Sequence, residues 1–138
     1  MPAAESVMPL LPIVIVLLIL SAMFAASETA LFALIRMEHT RGQLSASVRR
    51  ALERLMARPL ESLLIVIGLN ESCNVFAECL ATVFFLEWLG TDGAWLAVPV
   101  MFVVVLLFCD ITPKTFALGF PAGIVRMTAR PLAALLTV

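Results

Sequence analysis

Long apolar segments alternate with short polar segments along this chain, and their lengths predict membrane-spanning helices. A helix needs roughly 20 consecutive apolar residues to cross the hydrocarbon of a bilayer. Three segments meet this length, at residues 10–35, 60–86 and 94–112. Residues 115–138 are less apolar and contain prolines and arginines, which predicts a bent or interfacial juxtamembrane segment, with the start of a fourth hydrophobic helix as the alternative. The pattern predicts an all-α integral membrane protein with three transmembrane helices.

The composition supports a location in the lipid bilayer. Of the 138 residues, 62% are hydrophobic, and the mean hydropathy is +1.08. These values lie far above the balance of a soluble domain, and the length suits a single domain over residues 1–138. The net charge of −1 gives no reason to expect a nucleic-acid partner. We find no phosphate-binding glycine loop or zinc-type cysteine spacing, and we do not expect an enzyme.

The positive charges predict the orientation of the spans. Six arginines lie between the first two spans, and the other three basic residues follow the third. The turn between the second and third spans is acidic, with Trp88 and Trp95 at its ends. By the positive-inside rule, the N-terminus and this turn face outward, and the C-terminus is on the cytoplasmic side of the inner membrane. A cleaved signal peptide is the alternative for the first segment, but no positive region precedes it.

The arginine-rich loop at residues 40–58 has the periodicity of an amphipathic helix. From Gln43 to Arg58, apolar and charged residues fall on opposite sides of a helix: Leu44, Val48, Leu52, Leu55 and Met56 against Arg49, Arg50, Glu53 and Arg54. A helix with a basic face suits the surface of an anionic leaflet. We therefore predict a cytoplasmic-side juxtamembrane amphipathic helix, with a solvated charged hairpin as the alternative.

Each predicted span also carries a polar cluster that lipid would reject. The clusters are Ser21, Ser27 and Glu28 in the first span, Asn70, Glu71, Asn74 and Glu78 in the second, and Cys109, Asp110 and Lys114 in the third. Polar groups at membrane depth are costly without partners and by default mark a pathway, a relay or an ion site. The alternative is that they only hydrogen-bond neighbouring helices. Helical spacing places Asn70, Asn74 and Glu78 along one ridge.

Pro113 predicts a break in the third span. It lacks an N–H group, so the carbonyl of Cys109 loses its intrahelical partner, and Thr112 is pushed away from helical geometry. A free carbonyl beside Asp110 would form an oxygen-rich point of the kind from which transporters build ion sites. Alternatively, the motif simply ends the span, with Lys114 reaching the interface. Oxygen ligands of these types suit a hard cation such as Mg²⁺ or Na⁺.

The three clusters, in this order, resemble the motifs of the transmembrane module of the CNNM/CorC family. They read Ser21-Ala-Met-Phe-Ala25-Ala-Ser27-Glu28-Thr29-Ala30-Leu31, then Asn70 and Asn74 four residues apart, then Cys109-Asp110-Ile-Thr-Pro113-Lys114. The chain departs from the family pattern at four positions. Ala25 replaces a serine, Leu69 and Cys109 replace glycines, and Asp110 is one methylene shorter than the usual glutamate.

The resemblance implies a Mg²⁺ transporter. It implies a homodimer of three-span protomers that exports Mg²⁺, exchanged against Na⁺, through a site between the helices. The candidate metal-binding residues are Ser21, Ser27, Asn70, Asn74, Cys109 and Asp110. The family's cytoplasmic regulatory part, a pair of CBS modules, is absent from this sequence. The chain is therefore expected to be a piece of a longer protein or a version without that sensor.

Two other functions compete with Mg²⁺ export. The first is a non-transporting membrane scaffold or regulator with a degenerate ion site, which the substitutions at residues 25, 109 and 110 would favour if Asp110 cannot reach the ion. The second is a proton relay through Glu28, Glu71 and Glu78, which predicts a response to pH instead of Mg²⁺.

Overall fold

The computed structural model describes residues 8–37, 42 and 44–135, and most of these residues are helical. In chain order the helices are α1 (Leu10–Arg36), α2 (Ala46–Ala57), α3 (Pro59–Leu89), α4 (Thr91–Val104), a π-helical segment (Val105–Ile111), α5 (Thr112–Gly119) and α6 (Pro121–Leu135). The described residues contain no strand, so the all-α prediction is confirmed. Parts of the predicted amphipathic and juxtamembrane segments, at residues 40, 41, 43 and 136–138, lie outside the described residues.

Three continuous helical stretches are long and apolar enough to cross a membrane, which confirms the predicted number of spans. They cover Leu10–Leu34, Pro59–Leu89 and Thr91–Gly119. Large apolar side chains on their outer faces remain uncovered, among them Trp95 and Phe102, which are 82% and 63% exposed. Helices that are apolar over most of their surface, as these are, suit lipid surroundings because lipid covers what protein does not.

The third span does not break at Pro113, so that prediction was wrong. Thr112 is helical, with φ −61° and ψ −51°, and the helix continues to Gly119 instead of ending near residue 112. The reason lies in the preceding π-helical segment, where the Thr112 amide donates to the carbonyl of Leu107, five residues back. A wider π-turn relieves the clash that a proline ring makes with the preceding turn of a regular α-helix.

Helix α1 is the central element of the bundle. It packs along α3 and also contacts the π-helical segment, α5 and α6, while α4 returns alongside α3. Small side chains on α1, including Ala25, Ala26 and Ala30, are buried at these contacts. Small residues allow close helix approach in a membrane, where dispersion forces and hydrogen bonds replace the hydrophobic effect between helices.

Helix α2 is amphipathic as predicted, but protein covers its apolar face. Val48, Leu52 and Leu55 are buried in a cluster that includes residues of α1 and α6, among them Leu34 and Leu132. The apolar side chains that suggested a helix lying on lipid are therefore buried against other helices of the protein. The position of α2 at the membrane surface stays a prediction.

The bend predicted in the last segment occurs between α5 and α6. Phe120 has φ −133° and ψ 53°, outside helical geometry, and Pro121 follows it at the start of α6. Proline disfavours helical geometry in the residue before it, which explains the bend at this position. The first residues of the predicted juxtamembrane segment, up to Gly119, instead belong to the third span.

Two glycines shape the turn between α3 and α4. Gly90 has φ +72°, a left-handed conformation that glycine adopts without a Cβ clash. At Gly93, a Cβ atom would lie 2.0 Å from the carbonyl oxygen of Phe85. The second and third spans can therefore meet at this turn only because residue 93 has no side chain.

We predict that Gly93→Ala destabilises the hairpin by about 1–3 kcal/mol, since the new methyl group meets backbone atoms that must shift. Thermal unfolding in detergent, followed by circular dichroism, measures the effect. Gly123→Ala is the matched control, because nothing lies within 4 Å of a Cβ atom there. Equal unfolding midpoints for the two variants would contradict this account of the turn.

Candidate cation site

The hydroxyl group of Ser21 lies between two side-chain amides. Ser21 is fully buried on α1, and its Oγ is 2.6 Å from Oδ1 of Asn70 and 2.6 Å from Oδ1 of Asn74. The two asparagines are one turn apart on α3, so the predicted polar ridge of the second span meets the polar cluster of the first. The ridge and Ser21 face each other because α1 packs along α3.

These three oxygen atoms share a single hydroxyl proton. A serine hydroxyl has one hydrogen to donate, so it can satisfy only one of the two amide oxygens at a time. The other amide oxygen is then close to the hydroxyl oxygen without a proton between them. Oxygen lone pairs that lack a proton between them are suited to a positively charged ligand.

An acidic cleft of about 370 Å³ adjoins this cluster through Asn70. Four carboxylates and one amine line it, together with Asn70 and four apolar side chains: Glu28, Glu71, Glu78, Asp110 and Lys114, and Ile67, Phe102, Val105 and Leu106. The ionisable residues come from all three spans. A cleft with excess charge of one sign and low-dielectric walls concentrates counter-ions, here cations.

Asp110 reaches the cleft with its charge already paired. Lys114 Nζ lies 2.5 Å from Asp110 Oδ1, one helical turn away, and both side chains are less than half exposed. The aspartate belongs to the π-helical segment, where the extra residue in the turn changes the direction of the side chains that follow. Neither of the two interpretations of this motif included the Asp110–Lys114 pair, although the spacing of four residues could have suggested it.

Two predicted ligands have partners away from the cleft. The Ser27 hydroxyl donates to the Met23 carbonyl of its own helix at 2.6 Å. The Cys109 thiol is buried and donates to the Leu18 carbonyl at 3.5 Å, which joins the third span to α1. Neither residue lines the acidic cleft.

The structure thus divides the six predicted residues into three groups. Ser21, Asn70 and Asn74 form one cluster, Asn70 and Asp110 line one cleft, and the side chains of Ser27 and Cys109 donate to backbone carbonyls of α1 outside that cleft. Among the described residues, no three His, Cys, Asp or Glu side chains are placed to hold a metal ion by themselves. A cation here would depend on the neutral serine and asparagine oxygens as well as on carboxylates.

Three membrane-spanning helices around a buried polar cluster define a multi-pass integral membrane protein. Residues 12–138 match the family model of the Cyclin M transmembrane N-terminal domain, CNNM. The chain therefore belongs to the CNNM family, as the motifs predicted.

Two bacterial relatives agree with this family. The chain is 33% identical to the UPF0053 inner membrane protein YfjD of Escherichia coli (strain K12), over 104 residues that cover 74% of this chain and 24% of the relative. It is 34% identical to a UPF0053 protein of Haemophilus influenzae, over 107 residues that cover 76% of this chain and 25% of the relative. The chain thus spans about a quarter of the length of these relatives.

Proposed function

We propose that this chain is the transmembrane part of a divalent-cation transporter that exports Mg²⁺, with Na⁺ as the exchanged ion. The observation that carries the proposal is the Ser21 hydroxyl within 2.6 Å of two amide oxygens. The single proton of the Ser21 hydroxyl can bond to only one of the two amide oxygens at a time. A cation between the three oxygens would be bound by the lone pairs that have no proton. Mg²⁺ prefers oxygen ligands and usually keeps several waters, so a few protein oxygens suffice.

The acidic cleft would supply and release the ion. Its four carboxylates attract cations, and the shared residue Asn70 links it to the Ser21 cluster. In this mechanism Lys114 balances the charge of Asp110 while no metal ion is bound. An arriving divalent ion competes for the same carboxylate with twice the charge of the ammonium group, so binding would exchange one partner of Asp110 for another.

The same ion pair favours the second candidate function, a non-transporting scaffold or regulator. Asp110 is shorter than the glutamate usual in the family, and Lys114 already holds it. Cys109 occupies a position where glycine is usual, and its thiol donates a hydrogen bond to the Leu18 carbonyl of α1. If Asp110 cannot leave Lys114, the cleft would keep its shape without moving ions. A proton relay would use the same carboxylates but would need no Mg²⁺.

We also propose a homodimer in the inner membrane, with the N-terminus outside and the C-terminus in the cytoplasm. Three spans give little room to enclose a path, and a two-fold dimer is the commonest closed assembly. The inner membrane is the location in the name of the Escherichia coli relative. CBS-type regulatory modules on the cytoplasmic side would be the partner of this transmembrane part.

The cation site predicts a clear difference between two buried serines on α1. Ser21→Ala should weaken Mg²⁺ binding by about tenfold or more, because it removes the oxygen between the two amides. Ser27→Ala should leave binding nearly unchanged, because its hydroxyl serves only a backbone carbonyl. Titration calorimetry of folded protein in detergent measures both affinities. Equal losses in the two variants would mean that a packing defect, not a lost ligand, weakens binding.

Substitutions at Asn74 and Asp110 separate transporter from scaffold. Asn74→Ala should weaken Mg²⁺ binding, and Asp110→Asn should weaken Mg²⁺ far more than Na⁺, because the lost charge matters more to a divalent ion. Asp110→Glu should tighten Mg²⁺ binding if the shorter side chain limits reach. The measurements are Mg²⁺ and Na⁺ affinities and the tolerance of cells to Mg²⁺. If Asn74→Ala and Asp110→Asn change neither affinity nor tolerance, the polar clusters only join helices.

The orientation can be tested with one residue before α3 and one residue after it: Arg49 of α2 and Asp92 of α4. This helix has 31 residues and is therefore about 46 Å long, enough to cross the bilayer. In a background without the three native cysteines, Arg49→Cys should react with an impermeant maleimide only from the cytoplasm. Asp92→Cys should react only from outside. Reaction of both from the same side would overturn the three-span topology.

A further inference from the structure

A basic cleft of about 470 Å³ lies between α2 and α6, and it shares no lining residue with the acidic cleft. Three arginines and a serine line it, with three alanines: Arg50, Arg54, Arg130 and Ser47, and Ala51, Ala133 and Ala134. Helix α2 precedes the start of α3 and follows the end of α1. The cleft therefore lies at the end of the bundle opposite the turn between α3 and α4.

The three arginines of this cleft differ from their neighbours in having no carboxylate partner among the described residues. Arg49 pairs with Glu53 at 3.9 Å, and Arg58 pairs with Glu61 at 3.2 Å. Within the described part of the chain, no acidic side chain pairs with an arginine of the cleft. The one hydrogen bond recorded for Arg50 goes from Nε to the Ala46 carbonyl, at 3.3 Å. The guanidinium groups thus keep their charge and most of their donors.

Helix packing, not attraction between the arginines, holds these charges together. The apolar faces of α2 and α6 form one buried cluster that includes Leu52, Val125 and Leu132. The basic residues lie on the outer sides of the same two helices, and the small alanine side chains leave space between them. Because like charges repel, the protein places them close together only at a cost. An anion in the cleft would remove this cost.

We propose that this basic cleft binds a phosphate group, with Arg54 of α2 and Arg130 of α6 as its principal donors and Arg50 beside them. Guanidinium groups match phosphate oxygens with paired, charge-assisted hydrogen bonds. Basic pockets between helices at a membrane surface are typical sites for anionic head groups. The phosphate can belong to a lipid head group or be free in solution. The binding is independent of the cation site and goes beyond the proposed transport function.

Two probes distinguish the sources, both applied to the full chain in neutral detergent. Inorganic phosphate is titrated by calorimetry, and phosphatidylglycerol is counted on the protein by native mass spectrometry. We expect R54Q/R130Q to weaken binding of the probe by at least about tenfold, because two charge-assisted contacts are lost. The control R49Q/R58Q removes the same charge from arginines that have carboxylate partners, and it should bind nearly as well as the wild type.

Each outcome decides the proposal. Selective loss of phosphatidylglycerol in R54Q/R130Q assigns a lipid head group, and selective loss of inorganic phosphate assigns a soluble anion. If neither probe binds the wild type, the proposal is wrong. If the two double variants lose binding equally, the cleft is only part of a diffuse basic surface, and the proposal is also wrong. If R54Q/R130Q does not fold, R54K/R130K takes its place. Lysine keeps the charge but lacks the planar fork, so unchanged binding in that variant would also overturn the proposal.

Discussion

The contact between α1 and α3 is the constraint on which the rest of the structure depends. Each helix carries polar side chains at membrane depth, where an unpartnered polar group costs several kcal/mol. Ser21 meets Asn70 and Asn74 only when the helices pack in one register. The small residues of α1 permit that approach, and the third span and α6 then pack against the same helix. One buried polar contact therefore sets both the register of the bundle and the position of the candidate cation site.

The third span shows how a local irregularity serves the same arrangement. A proline within a helix removes a hydrogen bond and crowds the preceding turn. Here the chain widens into a π-helical turn just before Pro113 and continues as a helix. That turn carries Cys109 and Asp110 in different directions. The Cys109 thiol donates a hydrogen bond to the Leu18 carbonyl of α1. The Asp110 carboxylate lines the acidic cleft and pairs with Lys114. Cys109, which stands where the family pattern has glycine, is thus buried in the contact between the third span and α1.

The two clefts hold side chains of opposite charge and lie in different parts of the bundle. Carboxylates from three spans converge beside the Ser21 cluster, whereas arginines of α2 and α6 converge at one end of the bundle. The acidic cleft suits a cation, and the basic cleft suits an anion. The arginines of the basic cleft are held in place by the apolar contacts between α2 and α6.

The sequence by itself determined the fold class, the number of spans, the amphipathic helix and the family, because these depend on local quantities. Apolar length, helical periodicity and motif order can be read from neighbouring residues. The grouping of the candidate ligands depended on the tertiary structure, because Ser21 and Asn74 are 53 positions apart and nothing local states which faces meet. The same holds for Ser27, whose hydroxyl turns back to its own helix, and for α2, whose apolar face meets protein.

Tertiary structure also decided what Pro113 does. From sequence alone, a proline at that position predicts a break, because it removes one hydrogen bond and disfavours helical geometry in Thr112. Whether the chain breaks or widens depends on what the neighbouring helices offer. Here the chain widens into a π-helical turn, in which the Thr112 amide donates to the Leu107 carbonyl, and the Cys109 thiol of that turn donates to the Leu18 carbonyl of α1. The sequence determined which groups had to find partners, and the packing of three helices decided which partners they found.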